Sequence, residues 1–385
     1  MDRLHDLIQR YCPNGVVFAR IADIADISIG EFVHKSKQSP DGKYPVYNGG
    51  TTNTGFYDDF NRTANKIIIS ARGANAGYVN RVFTNFWSGN SCYSIDVENT
   101  NADWNFVFYC LKNGEKKLLG ERQKGDIPAV SKKQVEQFRI PLPPLAVQQE
   151  IVRILDSFTE LTAELTAELT ARRKQYEHYR DELLTFGDDV PSLPISQIAT
   201  FKYGYTDKAQ DAGDARFIRI TDITDDGCLN PLDAKYINMT EESKKYLLTK
   251  GDLLLARTGA SYGKTLYYPD NSQAVYASFL IKIKPDNTKI LNRFYWHFSK
   301  SSLYWTQAEK LVSKGGQQQF NTGAIGRVLI PVPSLDEQRR IVSILDRFDA
   351  ICNDLASGLP AEIAARQKQY EYYRDKLLMF KELER

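Results

Sequence analysis

Apolar side chains recur at alternating steps of four and three along one stretch of this chain. They are Ile151, Leu155, Phe158, Leu165, Leu169, Tyr176, Tyr179, Leu183 and Phe186, with Thr162 and Arg172 in the gaps. This heptad seam predicts a continuous helix from Gln148 to Phe186, roughly 60 Å long at about 1.5 Å per residue. A second seam runs through Ile341, Leu345, Phe348, Leu355, Tyr370, Tyr373 and Leu377. Gly358 followed by Pro360 should end one helix and begin another, so this seam is expected to break near 357–360. Few helices that pack only on their own domain run so far. The two seams are therefore expected to face each other as antiparallel coiled-coil helices, with globular parts at opposite ends.

The remaining segments carry shorter patterns. Residues 1–15 predict an amphipathic helix (Leu4, Leu7, Ile8, Tyr11) stopped by Pro13-Asn14-Gly15. Tyr44–Gly50 reads as strand then turn, and Lys66–Ala71 as a buried strand leaving into the Gly/Asn loop Arg72–Gly77. Trp104–Leu111 reads as a helix. Later come strands over Phe217–Ile220, Asp252–Ala256 and Ser278–Ile283, and a helix around Phe294–Phe298. Strands and helices mix without regular βαβ alternation, which makes the fold α+β. The expected divisions are a domain over 1–144, a helix over 145–187, a second domain over 188–334 and a second helical region over 335–385.

These parts are written twice. Ile140-Pro141-Leu142-Pro143-Pro144-Leu145, Gln148, Ile151-Val152, Ile154-Leu155-Asp156 and Phe158 return 190 residues later as Ile330-Pro331-Val332-Pro333-Ser334-Leu335, Gln338, Ile341-Val342, Ile344-Leu345-Asp346 and Phe348. Arg172, Lys174-Gln175-Tyr176-Glu177, Tyr179-Arg180-Asp181, Leu183-Leu184 and Phe186 return at offset 194, from Arg366 to Phe380. Ile21, Ile24-Ala25, Ile27 and Gly30 have partners at offset 174 in Ile195, Ile198-Ala199, Phe201 and Gly204. A period this long is a duplicated domain-plus-helix unit, a pseudo-two-fold internal repeat, rather than a solenoid. Within the first helix, Thr162-Ala163-Glu164-Leu165 is followed at once by Thr166-Ala167-Glu168-Leu169. One such unit is about one turn, or roughly 6 Å of length on nearly the same face.

Charge sharpens the picture. The net charge of +2 suggests little by itself, but 1–140 carries 18 Lys/Arg against 15 Asp/Glu and 190–330 carries 18 against 13. The helical segments 141–189 and 331–385 are net negative, with 5 against 10 and 9 against 10. Positive charge thus collects in the globular parts, which favours a polyanionic partner there. No apolar run approaches about 18 residues, and Met1-Asp2-Arg3 does not begin a signal peptide, so a soluble, intracellular chain is expected. Five scattered cysteines without a C-x-x-C pair fit reduced thiols rather than disulfides or zinc.

Strings that imitate active sites fail on spacing. Gly259-Ala260-Ser261-Tyr262-Gly263-Lys264-Thr265 has three residues between its glycines where a phosphate-binding loop needs four, and Leu266-Tyr267-Tyr268-Pro269 is no helix opening. Asp103 with Glu115-Lys116-Lys117 has nuclease-like spacing but reads as solvated charge. His5, His34, His178 and His297 lack metal spacing, and no cofactor motif occurs. Polar, Gly-rich loops in matching places of both halves remain. Arg72 and Asn75, then Arg122 and Lys124, serve the first half. Arg257, Ser261 and Lys264, then Lys314, Gln317 and Gln318, serve the second. Arg, Lys, Asn and Gln reach base edges, and neighbouring glycines let backbone amides approach phosphates, so duplex DNA is the expected ligand of these residues.

The doubled Ile-Pro-x-Pro blocks, the Thr-Ala-Glu-Leu repeats and the Arg-x-Lys-Gln-Tyr-Glu-x-Tyr-Arg helix together resemble the specificity subunit of a type I restriction-modification system over essentially the whole chain. The resemblance implies two target-recognition domains, each reading half of a split, asymmetric site in double-stranded DNA. It implies spacer helices that dock two methyltransferase subunits, to which restriction subunits add, and a cytoplasmic setting. It implies no catalysis and no cofactor in this chain. Two readings from other classes compete: a stand-alone methyltransferase or nuclease, and a coiled-coil adaptor that never touches DNA.

Overall fold

Ile67-Ile68-Ile69 and Leu253-Leu254-Leu255-Ala256 are continuous apolar runs, the pattern of strands covered on both faces. Both are buried strands inside four-stranded sheets. The computed structural model describes residues 2–119, 128–313, 318–354 and 357–384. Chain contacts divide it into two units, Met1–Glu164 with Ala364–Arg385, and Leu165–Ile363.

The first unit holds β1 (Val17–Arg20), β2 (Ala25–Ile29), β3 (Tyr44–Tyr47), β4 (Gly55–Tyr57), β5 (Lys66–Ser70), β6 (Val79–Val82), β7 (Trp87–Ser88), β8 (Cys92–Val97) and β9 (Arg139–Leu142). They form an antiparallel sheet in the order β2-β8-β5-β6, a three-stranded sheet β4-β3-β7 and the pair β1-β9. The second unit holds β10 (Ser192–Pro194), β11 (Ala199–Tyr203), β12 (Ala215–Ile218), β13 (Tyr236–Ile237), β14 (Leu253–Ala256), β15 (Thr265–Tyr267), β16 (Ala274–Tyr276), β17 (Leu280–Pro285) and β18 (Leu329–Pro331). Its sheets run β11-β17-β14-β15, β13-β12-β16 and β10-β18. This is the first unit's topology strand for strand, down to one parallel pair in each small sheet, β3 with β7 and β12 with β16. The fold is α+β and internally repeated.

Helices are α1 (Asp2–Tyr11), α2 (Trp104–Asn113), α3 (Glu115–Leu118), α4 (Lys132–Gln137), α5 (Leu145–Leu183), α6 (Asn292–Phe298), α7 (Ser302–Leu311), α8 (Thr322–Gly326), α9 (Leu335–Asn353) and α10 (Leu359–Leu377). Helix α5 runs unbroken for 39 residues. Its interior threonines are accommodated because their hydroxyls donate to carbonyls four residues back, as Thr162 does to Phe158 at 2.8 Å. The break expected near 357–360 falls between α9 and α10. Leu355 lies outside the described residues.

The repeated motifs explain how a helix is fastened to a sheet. Gln148 is fully buried at the start of α5. Its amide donates to the carbonyls of Asn101 and Pro143 at 2.8 and 2.6 Å and accepts from the Asp103 N–H at 2.8 Å. Gln338 does the same at the start of α9, with Lys289, Pro333 and Leu291 at 2.8, 2.9 and 2.9 Å. Two turns further, Asp156 accepts from the Tyr109 hydroxyl at 2.5 Å and from Arg81 at 3.1 Å. Its counterpart Asp346 accepts from His297 at 2.8 Å and Arg293 at 2.7 Å. Buried polar groups require such partners. The strict recurrence of Gln and Asp inside an otherwise apolar motif therefore reflects a hydrogen-bonded latch.

Each unit draws its helical packing from both halves of the repeat. In the first, Ile151, Leu155 and Phe158 share a core with Tyr370, Tyr373, Leu377 and Phe380, and the Phe158 and Tyr373 rings stack 5.5 Å apart. In the second, Ile341, Leu345 and Phe348 share a core with Leu169, Tyr176, Leu183 and Phe186, and Tyr176 stacks on Phe348 at 6.4 Å. The first motif block of one repeat is thus always closed by the second block of the other. Leu165 is half-buried and Tyr179 is 38% exposed, whereas Leu184 and Cys352 are fully buried.

Candidate nucleic-acid interface

In each unit the central sheet strand leaves into a loop that turns twice through the left-handed region. Gly73 and Gly77 have φ of 89° and 84°, and Gly259 and Gly263 have 68° and 81°. These backbone values suit glycine. A side chain at Gly73 or Gly259 would meet no neighbour, so conformation rather than crowding selects glycine there. The loops match bond for bond at an offset of 186. Ala76 N–H donates to Gly73, Gly77 to Ser70 and Tyr78 to Asn75, at 3.0, 2.8 and 3.0 Å. Tyr262 donates to Gly259, Gly263 to Ala256 and Lys264 to Ser261, at 3.1, 2.8 and 3.2 Å.

This register aligns Asn75 with Ser261 and Arg72 with Thr258; the residue opposite Arg257 is Ala71. The sequence reading had begun both loops with an arginine. Hydrogen bonding places the two arginines one position apart.

The second polar segment of each half comes alongside the first. Gly73 N–H donates to Pro128 and Val130 N–H to Ala71, at 2.9 and 2.8 Å, so Arg72 pairs antiparallel with Ala129. In the second unit Gly259 N–H donates to Gln318 and Phe320 N–H to Arg257, at 3.3 and 2.8 Å, and Thr258 pairs with Gln319. Two loops distant in sequence therefore form one edge in each unit. Arg122, Lys124, Lys314 and Gln317 lie outside the described residues.

Arg72, Asn75 and Gln318 are exposed, and Arg257 and Ser261 are half-buried. Lys264 is committed elsewhere: its ammonium ion-pairs with Asp225 and holds that carboxyl below its ordinary value. Two residues at the second unit's edge escaped the sequence reading. Tyr203 and Phe279 are 42% and 51% exposed, and the Arg257 guanidinium lies over both rings at 5.2 and 5.7 Å. Tyr203 ends the strand that begins in the motif shared by Ile24-Ala25 and Ile198-Ala199, so its alignment with Ile29 was available as a signal.

Both acids of the nuclease-like string have structural employment. Asp103 caps α2, accepting from the Asn105 and Phe106 N–H groups at 2.9 and 3.0 Å. Glu115 accepts from the Val79 N–H at 2.8 Å and from Lys112 at 2.7 Å. The Gly259–Thr265 string passes into strand β15 rather than a helix. Among the described residues no helix is long and apolar enough to cross a membrane.

The family model for the type I restriction modification DNA specificity domain matches this chain twice, over residues 13–172 and 188–365. The chain belongs to that family. A type I restriction enzyme specificity subunit from Haemophilus influenzae is 31% identical over 368 residues, covering 90% of each chain. One from Escherichia coli is 31% identical over 307 residues, covering 71% of this chain and 70% of its own. In fold, the crystal structure of a type I restriction-modification S subunit from M. genitalium matches with a TM-score of 0.63 at 20% identity, over 94% of this chain and 96% of that one. As a specificity subunit, the chain is a targeting component and not an enzyme.

Proposed function

We propose that this specificity subunit reads a bipartite, asymmetric site in duplex DNA, each unit recognising one half through the edge formed by its two polar loops. The helices set the spacing between the halves and dock two methyltransferase subunits, to which restriction subunits add. One observation carries the reading: the same hydrogen-bonded loop frame is built twice, and its exposed side chains differ. A common frame positions each reader by phosphate and backbone contacts, while unlike side chains select unlike bases. Arg72 and Asn75 are the described candidates in the first unit; Arg257, Ser261 and Gln318 serve the second. Lys264, held by Asp225, supports the loop rather than meeting DNA. Arg122, Lys124, Lys314 and Gln317 stay candidates on their sequence alone.

The test is selection from a pool of random duplexes, with the full assembly purified through a tag on this chain. Enrichment of two short, unlike motifs at a fixed separation is expected. A single contiguous motif, or no motif at all, refutes the proposal. A stand-alone enzyme would turn over DNA with S-adenosylmethionine or Mg²⁺ without partner chains, and the chain by itself is expected to show no turnover.

A further inference from the structure

We infer that Tyr203, Arg257 and Phe279 form a preset fork that reads a guanine in the half-site of the second unit. The inference rests on the bipartite DNA reading above and names the base one reader selects. Arg257 is placed by its backbone, with its N–H donating to Phe279 and its carbonyl accepting from Phe320, at 3.1 and 2.8 Å. Its side chain is then fixed at Nε, which donates to the Ser278 carbonyl at 3.2 Å. The guanidinium packs against the two exposed rings. Tyr203 is itself tied to the start of α8, its hydroxyl standing 3.4 Å from the Thr322 hydroxyl and 3.5 Å from its N–H.

Among the described residues the two terminal Nη groups make no hydrogen bond. A flexible arginine loses rotamer freedom when it binds; one already stacked and anchored loses less. Such a planar, two-donor fork matches the O6 and N7 acceptors of guanine in the major groove. The two adjacent rings add apolar surface beside the donors. The same frame positions in the first unit are Ile29, Ala71 and Ser91, from the matched pairs Gly30 to Cys92 and Gly204 to Leu280 and the bonds Ala71 to Ser91 and Arg257 to Phe279. None of those three positions holds an arginine or an aromatic ring, so this particular fork belongs to the second unit's half-site.

The random-duplex selection separates failure of this inference from failure of the reading beneath it. Wild-type assembly is expected to enrich a bipartite motif with an invariant G·C pair in one half. With Arg257→Ala, preference at that pair should fall about 5- to 150-fold while the other half-site keeps its full preference, which also shows that the variant is folded and assembled. Arg257→Lys retains the charge but not the fork, and should lose the same preference. Tyr203→Ala and Phe279→Ala should each lose part of it. If Arg257→Ala weakens binding equally at all sequences, the residue is a phosphate anchor and the inference fails. It also fails if the motif is unchanged, or if the relaxed pair is A·T. Absence of any bipartite motif in wild type sinks the underlying reading instead.

Discussion

His297 is fully buried between the Tyr176 hydroxyl at 3.1 Å and the Asp346 carboxylate at 2.8 Å. Burial lowers its pKa to about 4; the Asp346 hydrogen bond opposes this, and Arg293 and Lys300 reinforce it. In the unfolded chain the same imidazole titrates near 6.5. Between about 6.5 and about 4 the unfolded state therefore binds the extra proton, and stability must fall as pH falls through that window. The full effect is on the order of 3 kcal/mol. Hydrogen exchange across 165–353 should show protection declining from pH 7 to pH 4.5, and His297→Gln should flatten the decline. A slope that is unchanged in the variant assigns it to other groups. At the neighbouring latch, Gln338→Ala strands the Leu291 N–H and two carbonyls and should cost about 1–3 kcal/mol, measured by denaturant midpoint. The sequence announced Gln338 and Asp346 by repeating them but gave no clue to their duty. Their partners Lys289, Leu291, Arg293 and His297 are about 50 residues away and become neighbours only when the sheet closes.

Helix α5 was legible from its period because one face carries the packing. Its C-terminal end was less so: the seam ran on to Phe186, whereas the helix ends at Leu183 and Phe186 packs into the core beyond it. Helix α7 went unread, although Ser301 supplies a cap by accepting from the Tyr304 N–H at 3.2 Å. Its core-facing residues Tyr304, Ala308 and Leu311 fall at steps of four and three, so its period was also available as a signal. Thr166–Leu169 tests the role of α5. Two of its contacts are local: the Thr170 hydroxyl donates to the Thr166 carbonyl and the Arg172 guanidinium to the Glu168 carboxylate. Deleting the four residues removes about one turn and roughly 6 Å, which preserves the face. If α5 sets the half-site separation, the deletion variant should select the same two motifs one or two base pairs closer. Unchanged spacing would remove the ruler from the proposal. Gly358 bears on the other seam: a Cβ there would stand 2.6 Å from the Ala350 carbonyl oxygen and 2.7 Å from that of Asp354. Gly358→Ala should destabilise the second unit by about 1–3 kcal/mol, read as a lowered melting temperature.

At the scale of the molecule, the sequence repeat and the compact units do not share boundaries. Reading along the chain yields domain, helix, domain, helix. Packing instead joins Ala364–Arg385 to Met1–Glu164. The reason lies in how the seams are filled: a face of Ile151, Leu155 and Phe158 is covered by Tyr370, Tyr373 and Leu377 of the other repeat. The attachment continues past the helix, where Val16 and Leu383 N–H groups donate to Lys381 and Val16 at 2.9 and 3.0 Å, and Arg139 ion-pairs with Glu382 at 2.5 Å. A variant ending after Ile363 should therefore lose stability far from the cut. Hydrogen exchange is expected to show protection collapsing across α1, β1, β9 and the start of α5, while the second unit, whose sequence neighbours the deletion, keeps its protection. The opposite pattern, with exchange rising only in Leu335–Ile363, would mean that the last helix stabilises its own repeat and that the exchanged packing contributes little.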